Sequence, residues 1–151
     1  DLLPADLWDQ VQEAALAVFA RGQRVAEAAG LILADTKYEF GLDHDGRLLL
    51  IDEVHTPDSS RFWEAATYES RLAAGDDPES LDKEPIRVAL AAAGYRGDGP
   101  PPNLGAEVWS DTARRYVSAF ERLTGERFVP GDYPVQARIE RVLGGIGGHD
   151  D

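Results

Sequence analysis

A chain of 151 residues is long enough for one domain with its own core, and a hydrophobic content of 43% separates it from disordered polymers. A net charge of −13 excludes a general affinity for nucleic-acid phosphates. The absence of cysteine excludes disulfides, thiolate metal sites and a cysteine nucleophile. No apolar run approaches the roughly 20 residues that cross a bilayer, and no signal-peptide pattern opens the chain, so neither a membrane nor a nucleic-acid partner is expected and the location is read as cytoplasmic. Methionine is absent, position 1 included, which leads us to expect part of a longer protein.

Pro4–Ala29 reads as a long helix, with Leu7, Val11, Ala14, Val18, Phe19 and Val25 at helical spacing and Gly30 as the residue that ends it. Leu31–Phe40 then switches to an extended pattern. A turn cluster at Asp43–Gly46 leads into a second strand over Arg47–Val54, and together they predict a β-hairpin. His55–Ser60 is a loop, and a helix is expected from about Arg61 with Ser59 or Ser60 as its N-cap. Further helices are expected over Leu81–Ala93, Val108–Leu123 and Val135–Leu143. The glycine-rich tail from Gly144 to Asp151 is expected to be mobile. No internal repeat and no βαβ alternation is visible.

The hairpin carries a concentration of charge. Asp35, Lys37 and Glu39 share one face of the first strand, because side chains alternate along it. A two-residue turn would set Glu39 opposite Asp52, and a four-residue loop would set Lys37 there; an odd loop or a bulge would break both registers. Two opposed carboxylates repel unless a cation lies between them, and Mg²⁺ is held by one or two carboxylates plus phosphates and water. The same pattern also describes a solvent-facing strand face with a Lys–carboxylate pair.

Two other segments gather groups suited to an anion. In His55–Arg61 the serine hydroxyls, a new helix start and the Arg61 guanidinium suit a phosphate or carboxylate, although an ordinary capping turn uses the same residues. His55 itself is either an acid–base group or a structural histidine. Leu81–Arg87 contains Lys83, one of only two lysines beside thirteen arginines; Lys37 is the other. Lys83 and Arg87 fall on one helix face, either as a cationic patch or as partners of nearby acids such as Glu84.

The order of these motifs is distinctive. LILADTKYEFG, LLLIDEVHTPDSSRFW, ESLDKEPIR and a helix ending ERLTG together resemble the phosphoribosylaminoimidazole-succinocarboxamide synthase (SAICAR synthetase) family, over roughly residues 10–125. The resemblance implies an α+β fold, with helices packed around a central antiparallel β-hairpin, as in the C-terminal domain of the SAICAR synthase-like (ATP-grasp/kinase-like) fold. It places residues 1–143 in that domain, residues 144–151 in a tail, and the N-terminal ATP-binding half of the enzyme outside the chain.

The activity implied is an ATP-dependent ligase of purine biosynthesis. It would join L-aspartate to carboxyaminoimidazole ribonucleotide through an acyl phosphate, with Mg²⁺ as cofactor and ATP as co-substrate. Carried over by position, Lys37, Glu39 and Asp52 match the ATP-phosphate site, Glu39 and Asp52 the metal ligands, and Lys37 and Asp52 the catalytic pair. Ser59, Ser60, Arg61, Asp82, Lys83 and Arg87 match substrate-binding positions. Pro85 departs from the pattern; it fits a helix only in its first turn, which moves the start to about Glu84. A kinase-like phosphotransferase and a non-catalytic nucleotide-binding fragment are the alternatives, and no kinase signature motif is present.

Overall fold

Helix α1 spans Ala5–Ala28, and Gly30 follows it in the left-handed region at φ 71°, a conformation that glycine adopts without steric cost. This is the start of a computed structural model that describes residues 3–146. Strand β1, Leu31–Thr36, leaves the corner at Gly30, and β2 (Glu39–Leu42) and β3 (Leu48–Ile51) form the hairpin. Strand β4, Ser60–Glu64, runs directly into α2, Ala65–Ala74. Helices α3 (Glu84–Ala92), α4 (Ala106–Thr124) and α5 (Val135–Ile146) complete the described chain. The expected α+β class holds, as helices around two small antiparallel sheets.

The central sheet pairs β1 with β4, and β2 pairs with β3 separately. The strand expected over Leu31–Phe40 is therefore divided. Thr36 Oγ1 lies 2.8 Å from Ser60 Oγ and the Lys37 N–H bonds the Ser59 carbonyl at 3.0 Å, so the chain stays with the β4 side through Lys37 and pairs with β3 only from Glu39. The helix expected from Arg61 is instead β4. Its first residues alternate buried Ser60, exposed Arg61 and buried Phe62, a period of two. Pro85 lies in the first turn of α3, where its missing N–H costs nothing, so the helix starts at Glu84. The last helix continues to Ile146, beyond the expected Leu143; the rest of the expected tail, residues 147–151, lies outside the described residues.

Leu31 and Leu33 of β1, Phe62 of β4, Leu81, Ala26 of α1 and Ala119 of α4 form the buried core. Arg122 ties its edges together. The guanidinium donates to the Ala29 carbonyl at 2.9 Å and the Gly30 carbonyl at 3.1 Å, and it also bonds Glu64. One side chain of α4 thus holds both the α1–β1 corner and the β4–α2 junction. Among the described residues no helix is long and apolar enough to cross a membrane.

Phe62 is the largest fully buried side chain, at 1% exposure. Phe62→Ala is expected to cost about 3–5 kcal/mol, through lost burial and the cavity left behind. That is comparable with the whole stability of a small domain, so a urea melt should show a large fall in midpoint or a chain already unfolded in buffer.

Candidate functional site

The end of β1, the loop before β4 and the segment entering α3 surround an open cleft of about 410 Å³. One wall is Asp35–Lys37, the second Pro57–Arg61 and the third Asp82–Glu84 with Arg87. The β1–β4 register creates the first two walls by setting Asp35 opposite Arg61 and Thr36 opposite Ser60. The third is held against the outer edge of β4. Trp63 bridges to Ser80, the Leu81 N–H bonds the Phe62 carbonyl at 2.9 Å, and Arg115 of α4 bonds the Ser80 carbonyl. Asp82 is delivered there with 2% exposure.

Every cation of the cleft has a carboxylate partner. Arg61 grips Asp35 with a two-pronged contact whose Nε–Oδ1 distance is 2.9 Å. Lys83 Nζ lies 2.8 Å from Asp58 Oδ1, and Arg87 Nε lies 2.7 Å from Glu84 Oε2. Lys37 Nζ is 2.5 Å from Glu39 Oε1 and 3.5 Å from Asp52 Oδ2. The Arg61 hydrogen bond holds the Asp35 pKa below the usual range, Lys83 does the same for Asp58, and Arg87 for Glu84. Glu39 raises the Lys37 pKa, chiefly by accepting its hydrogen bond. Asp82 Oδ1 accepts the Glu84 N–H at 2.7 Å, while Oδ2 is buried without a partner among the described residues.

The geometry corrects two expectations. The hairpin loop has five residues, because Asp43 Oδ1 accepts the Asp45 and Arg47 N–H groups and Gly46 turns at φ 78°. Glu39 consequently pairs with Ile51, so neither Glu39 nor Lys37 lies opposite Asp52. Asp52 still reaches Lys37, because it lies beyond β3 at φ 71° and leaves the strand direction. The second correction concerns the anion site. With β4 in place of a helix at Arg61, no helix starts at the Ser59–Arg61 wall; the helix start that borders the cleft is that of α3, at Lys83–Glu84. Glu39 and Asp52 sit beside Lys37 outside the cleft lining, and the described residues contain no group of three or more His, Asp or Glu side chains placed to hold a metal ion.

Similarity to known proteins agrees with this arrangement. The family model for SAICAR synthetase matches residues 1–102. The chain belongs to the SAICAR synthetase family. A putative phosphoribosylaminoimidazole-succinocarboxamide synthase 2 of Mesorhizobium japonicum is 50% identical over 129 residues, covering 85% of this chain and 41% of that protein. The chloroplastic synthase of Arabidopsis thaliana is 44% identical over 89% of this chain and 33% of its own length. Among solved structures, the SAICAR synthase from Saccharomyces cerevisiae complexed with SAICAR superposes with a TM-score of 0.68 at 35% identity, over 83% of this chain and 40% of that one. A SAICAR synthetase in complex with ADP gives 0.58 at 30% identity, over 83% and 41%. The chain spans less than half the length of the curated relatives it matches.

In this family member, seven of the positions singled out from sequence line one cleft: Lys37, Ser59, Ser60, Arg61, Asp82, Lys83 and Arg87. Sequence reasoning missed the acids that hold Arg61 and Lys83. Asp35 was placed on a strand face without a partner, and Asp58 pairs with a lysine 25 residues away. It also missed Gly22, a helix-interior glycine packed against His55. An isolated glycine in an alanine-rich helix was the available signal.

The carboxylates of Asp35, Asp58 and Glu84 have folded pKa values below their unfolded ones, so the unfolded state binds more protons in that range. Their contribution is present above about pH 4.5 and is lost as pH falls through the folded pKa values. Urea midpoints measured from pH 5 to pH 2.5 (about, on the carboxylate scale) should fall, and less steeply in Lys83→Ala and at about 0.5 M salt. An identical fall in that variant would show that the Lys83–Asp58 pair contributes nothing.

Proposed function

We propose that the cleft is the ribonucleotide-binding wall of an ATP-dependent ligase, one that joins L-aspartate to the carboxylate of carboxyaminoimidazole ribonucleotide. The products are SAICAR, ADP and phosphate. The observation that carries this reading is the convergence of Lys37, Arg61, Lys83 and Arg87 on one cleft in a chain of net charge −13. With Asp35, Asp58, Asp82 and Glu84 beside them the cleft is locally neutral in an acidic chain, and its cations suit a polyanionic ligand that exchanges for their carboxylate partners. Membership of a family with solved structures in complex with SAICAR and with ADP supports the same ligands here.

In this reading the substrate carboxylate oxygen attacks the γ-phosphorus of ATP and ADP leaves. The aspartate amine then attacks the acyl carbon, phosphate leaves and the amine loses a proton. No covalent enzyme nucleophile is needed. The protein positions the reactants and neutralises developing charge. Lys37 serves the transferring phosphoryl group. Arg61, Lys83 and Arg87 hold the anionic parts of the ribonucleotide, with Ser59, Ser60 and Asp82 as hydrogen-bonding partners.

Glu39 and Asp52 would hold Mg²⁺. They fit it, because both already converge on a single cationic centre, the Lys37 ammonium. The ion would supply charge neutralisation at the phosphates, and one or two protein carboxylates are the usual protein share of such a site. Residues 1–143 correspond to the C-terminal domain of such an enzyme. The remaining nucleotide-binding wall belongs to the part of the relatives outside the matched region. A cytoplasmic location follows from this role in bacteria, while the Arabidopsis relative is named as chloroplastic.

Calorimetric titration of the chain with Mg²⁺–ADP and with carboxyaminoimidazole ribonucleotide tests the proposal. Lys83→Ala should weaken the ribonucleotide about 10–100-fold, the worth of one charge-assisted hydrogen bond. Asp52→Asn should abolish the Mg²⁺ dependence of nucleotide binding; retention of that dependence would sink the metal assignment. The 151 residues alone should show no ligase turnover, and robust turnover would overturn the assignment of half the site to another segment.

A further inference from the structure

His55 heads the loop that forms the second wall of the cleft, and it is anchored on the opposite side, in α1. Its ring packs onto Gly22, in the interior of the 24-residue helix α1. A Cβ at position 22 would overlap His55 Nε2 and lie 2.6 Å from Cε1, so no residue but glycine fits without displacing the ring. Glycine in a helix interior costs about 1 kcal/mol relative to alanine, and this contact explains its presence. Nε2 lies 3.3 Å from the Val18 carbonyl and 3.0 Å from the Tyr38 hydroxyl, and the Tyr38 ring meets the imidazole edge-on at 5.5 Å. The Val18 contact requires the proton on Nε2, whereas donation from the Tyr38 hydroxyl requires it on Nδ1, where it would be a buried donor without an acceptor; the Nε2–H form avoids that cost. Nδ1 is then the lone-pair atom, and it is buried with no partner among the described residues. The backbone of His55 is held at φ 56°, outside the ordinary range of a non-glycine residue.

We infer that Gly22, His55 and Tyr38 form a latch on α1 that sets the spacing between the Lys37 wall and the Thr56–Arg61 wall of the cleft. His55 is a positioning residue in this assignment and touches no ligand. The connection is covalent on both sides: Tyr38 follows Lys37 directly, and Thr56 follows His55. Beyond the latch, the Lys37 N–H bonds the Ser59 carbonyl at 3.0 Å and the Ser60 N–H bonds the Thr56 carbonyl at 2.9 Å. The latch accepts only the neutral ring. A proton on Nδ1 would be a buried donor with no acceptor, and burial already lowers the His55 pKa. The recorded groups facing the ring are the Val18 carbonyl and Gly22 from α1 and the Tyr38 hydroxyl from the β1–β2 connection. No carboxylate or cationic side chain pairs with it among the described residues.

The sign of the pH effect follows. The folded pKa lies below the unfolded value of about 6.5, so the latch is fully formed above that value and weakens as pH falls through the folded pKa. Amide hydrogen exchange on the full 151-residue chain tests this without any ligand, and so independently of the ligase reading. In Gly22→Ala the Lys37 and Ser60 amides should exchange at least about tenfold faster, with the Leu33 and Phe62 amides unchanged within about twofold. Helix propensity alone predicts the reverse, a stabilised chain. If that variant does not fold, the wild-type chain supplies the test. Lowering the pH from about 7.5 to about 5 should open the same two amides selectively, after correction for intrinsic rates. His55→Gln, which keeps a donor for Val18 and cannot gain a proton, should remove that pH dependence. Uniform change across core and cleft amides, no change in either, or a persisting pH dependence in His55→Gln would overturn the latch.

Discussion

The antiparallel pairing of Leu31–Thr36 with Ser60–Glu64 is the constraint on which the other features depend. Its inward residues, Leu31, Leu33 and Phe62, are the centre of the core. Its polar end sets Asp35 opposite Arg61 and Thr36 opposite Ser60. The pairing therefore satisfies burial at its apolar end and, after a register shift between Leu33 and Asp35, assembles two cleft walls at its polar end. A slip by one residue would turn Phe62 to solvent and bring Arg61 into the core, so the hydrophobic term of several kcal/mol for Phe62 also protects the placement of Arg61. The third wall borrows the same strand, because the Ser80–Leu81 segment bonds its outer edge and carries Asp82 into the cleft.

The cleft is electrostatically self-complementary. Each of its four cations rests on a carboxylate, and three of those carboxylates lie within the cleft lining. These pairs are mostly half-exposed, and exposed ion pairs contribute little to stability, about 0–1 kcal/mol. They matter for order: a paired guanidinium or ammonium has already lost part of its rotamer freedom before a ligand arrives. A multiply charged anion can then exchange for the carboxylates at small cost. In a chain of net charge −13 this local pairing also keeps the cations from being drawn to the acids elsewhere on the surface.

The helices, the α+β class and the members of the cleft were legible in the sequence because they rest on local periodicity and on motif order. Gly30 marked the end of α1, and the lone lysines marked two of the three walls. The strand at Ser60–Glu64 was not legible. Its signal is five residues long, and its neighbours Thr56-Pro57-Asp58-Ser59 carry the chemistry of a helix cap. Only the pairing with β1 decides between the two, and that is a tertiary fact. The acids that hold Arg61 and Lys83 were hidden for the same reason, since they lie 26 and 25 residues away in the chain. Arg87 is the contrast: Glu84 is three residues before it on the same helix and was readable as a local partner.

The hairpin makes the most instructive departure. Strand parity argued for Asp52 beside Glu39 and Lys37, and the parity was wrong because Asp43 builds a five-residue loop. The three side chains nevertheless meet. What brings them together is the backbone after β3, where Asp52 and His55 both adopt left-handed conformations within four residues. Such residues are costly, of order 1–3 kcal/mol each, and persist only where the surroundings impose them. For His55 the surroundings are identifiable, the packing against α1; Asp52 is of a residue type that enters the left-handed region readily, and its exposed 3.5 Å contact with Lys37 follows from that turn. Regular sheet geometry would have aimed Asp52 along its strand. The irregular segment redirects it toward the lysine, and the same bend carries the chain on into the loop that closes the cleft.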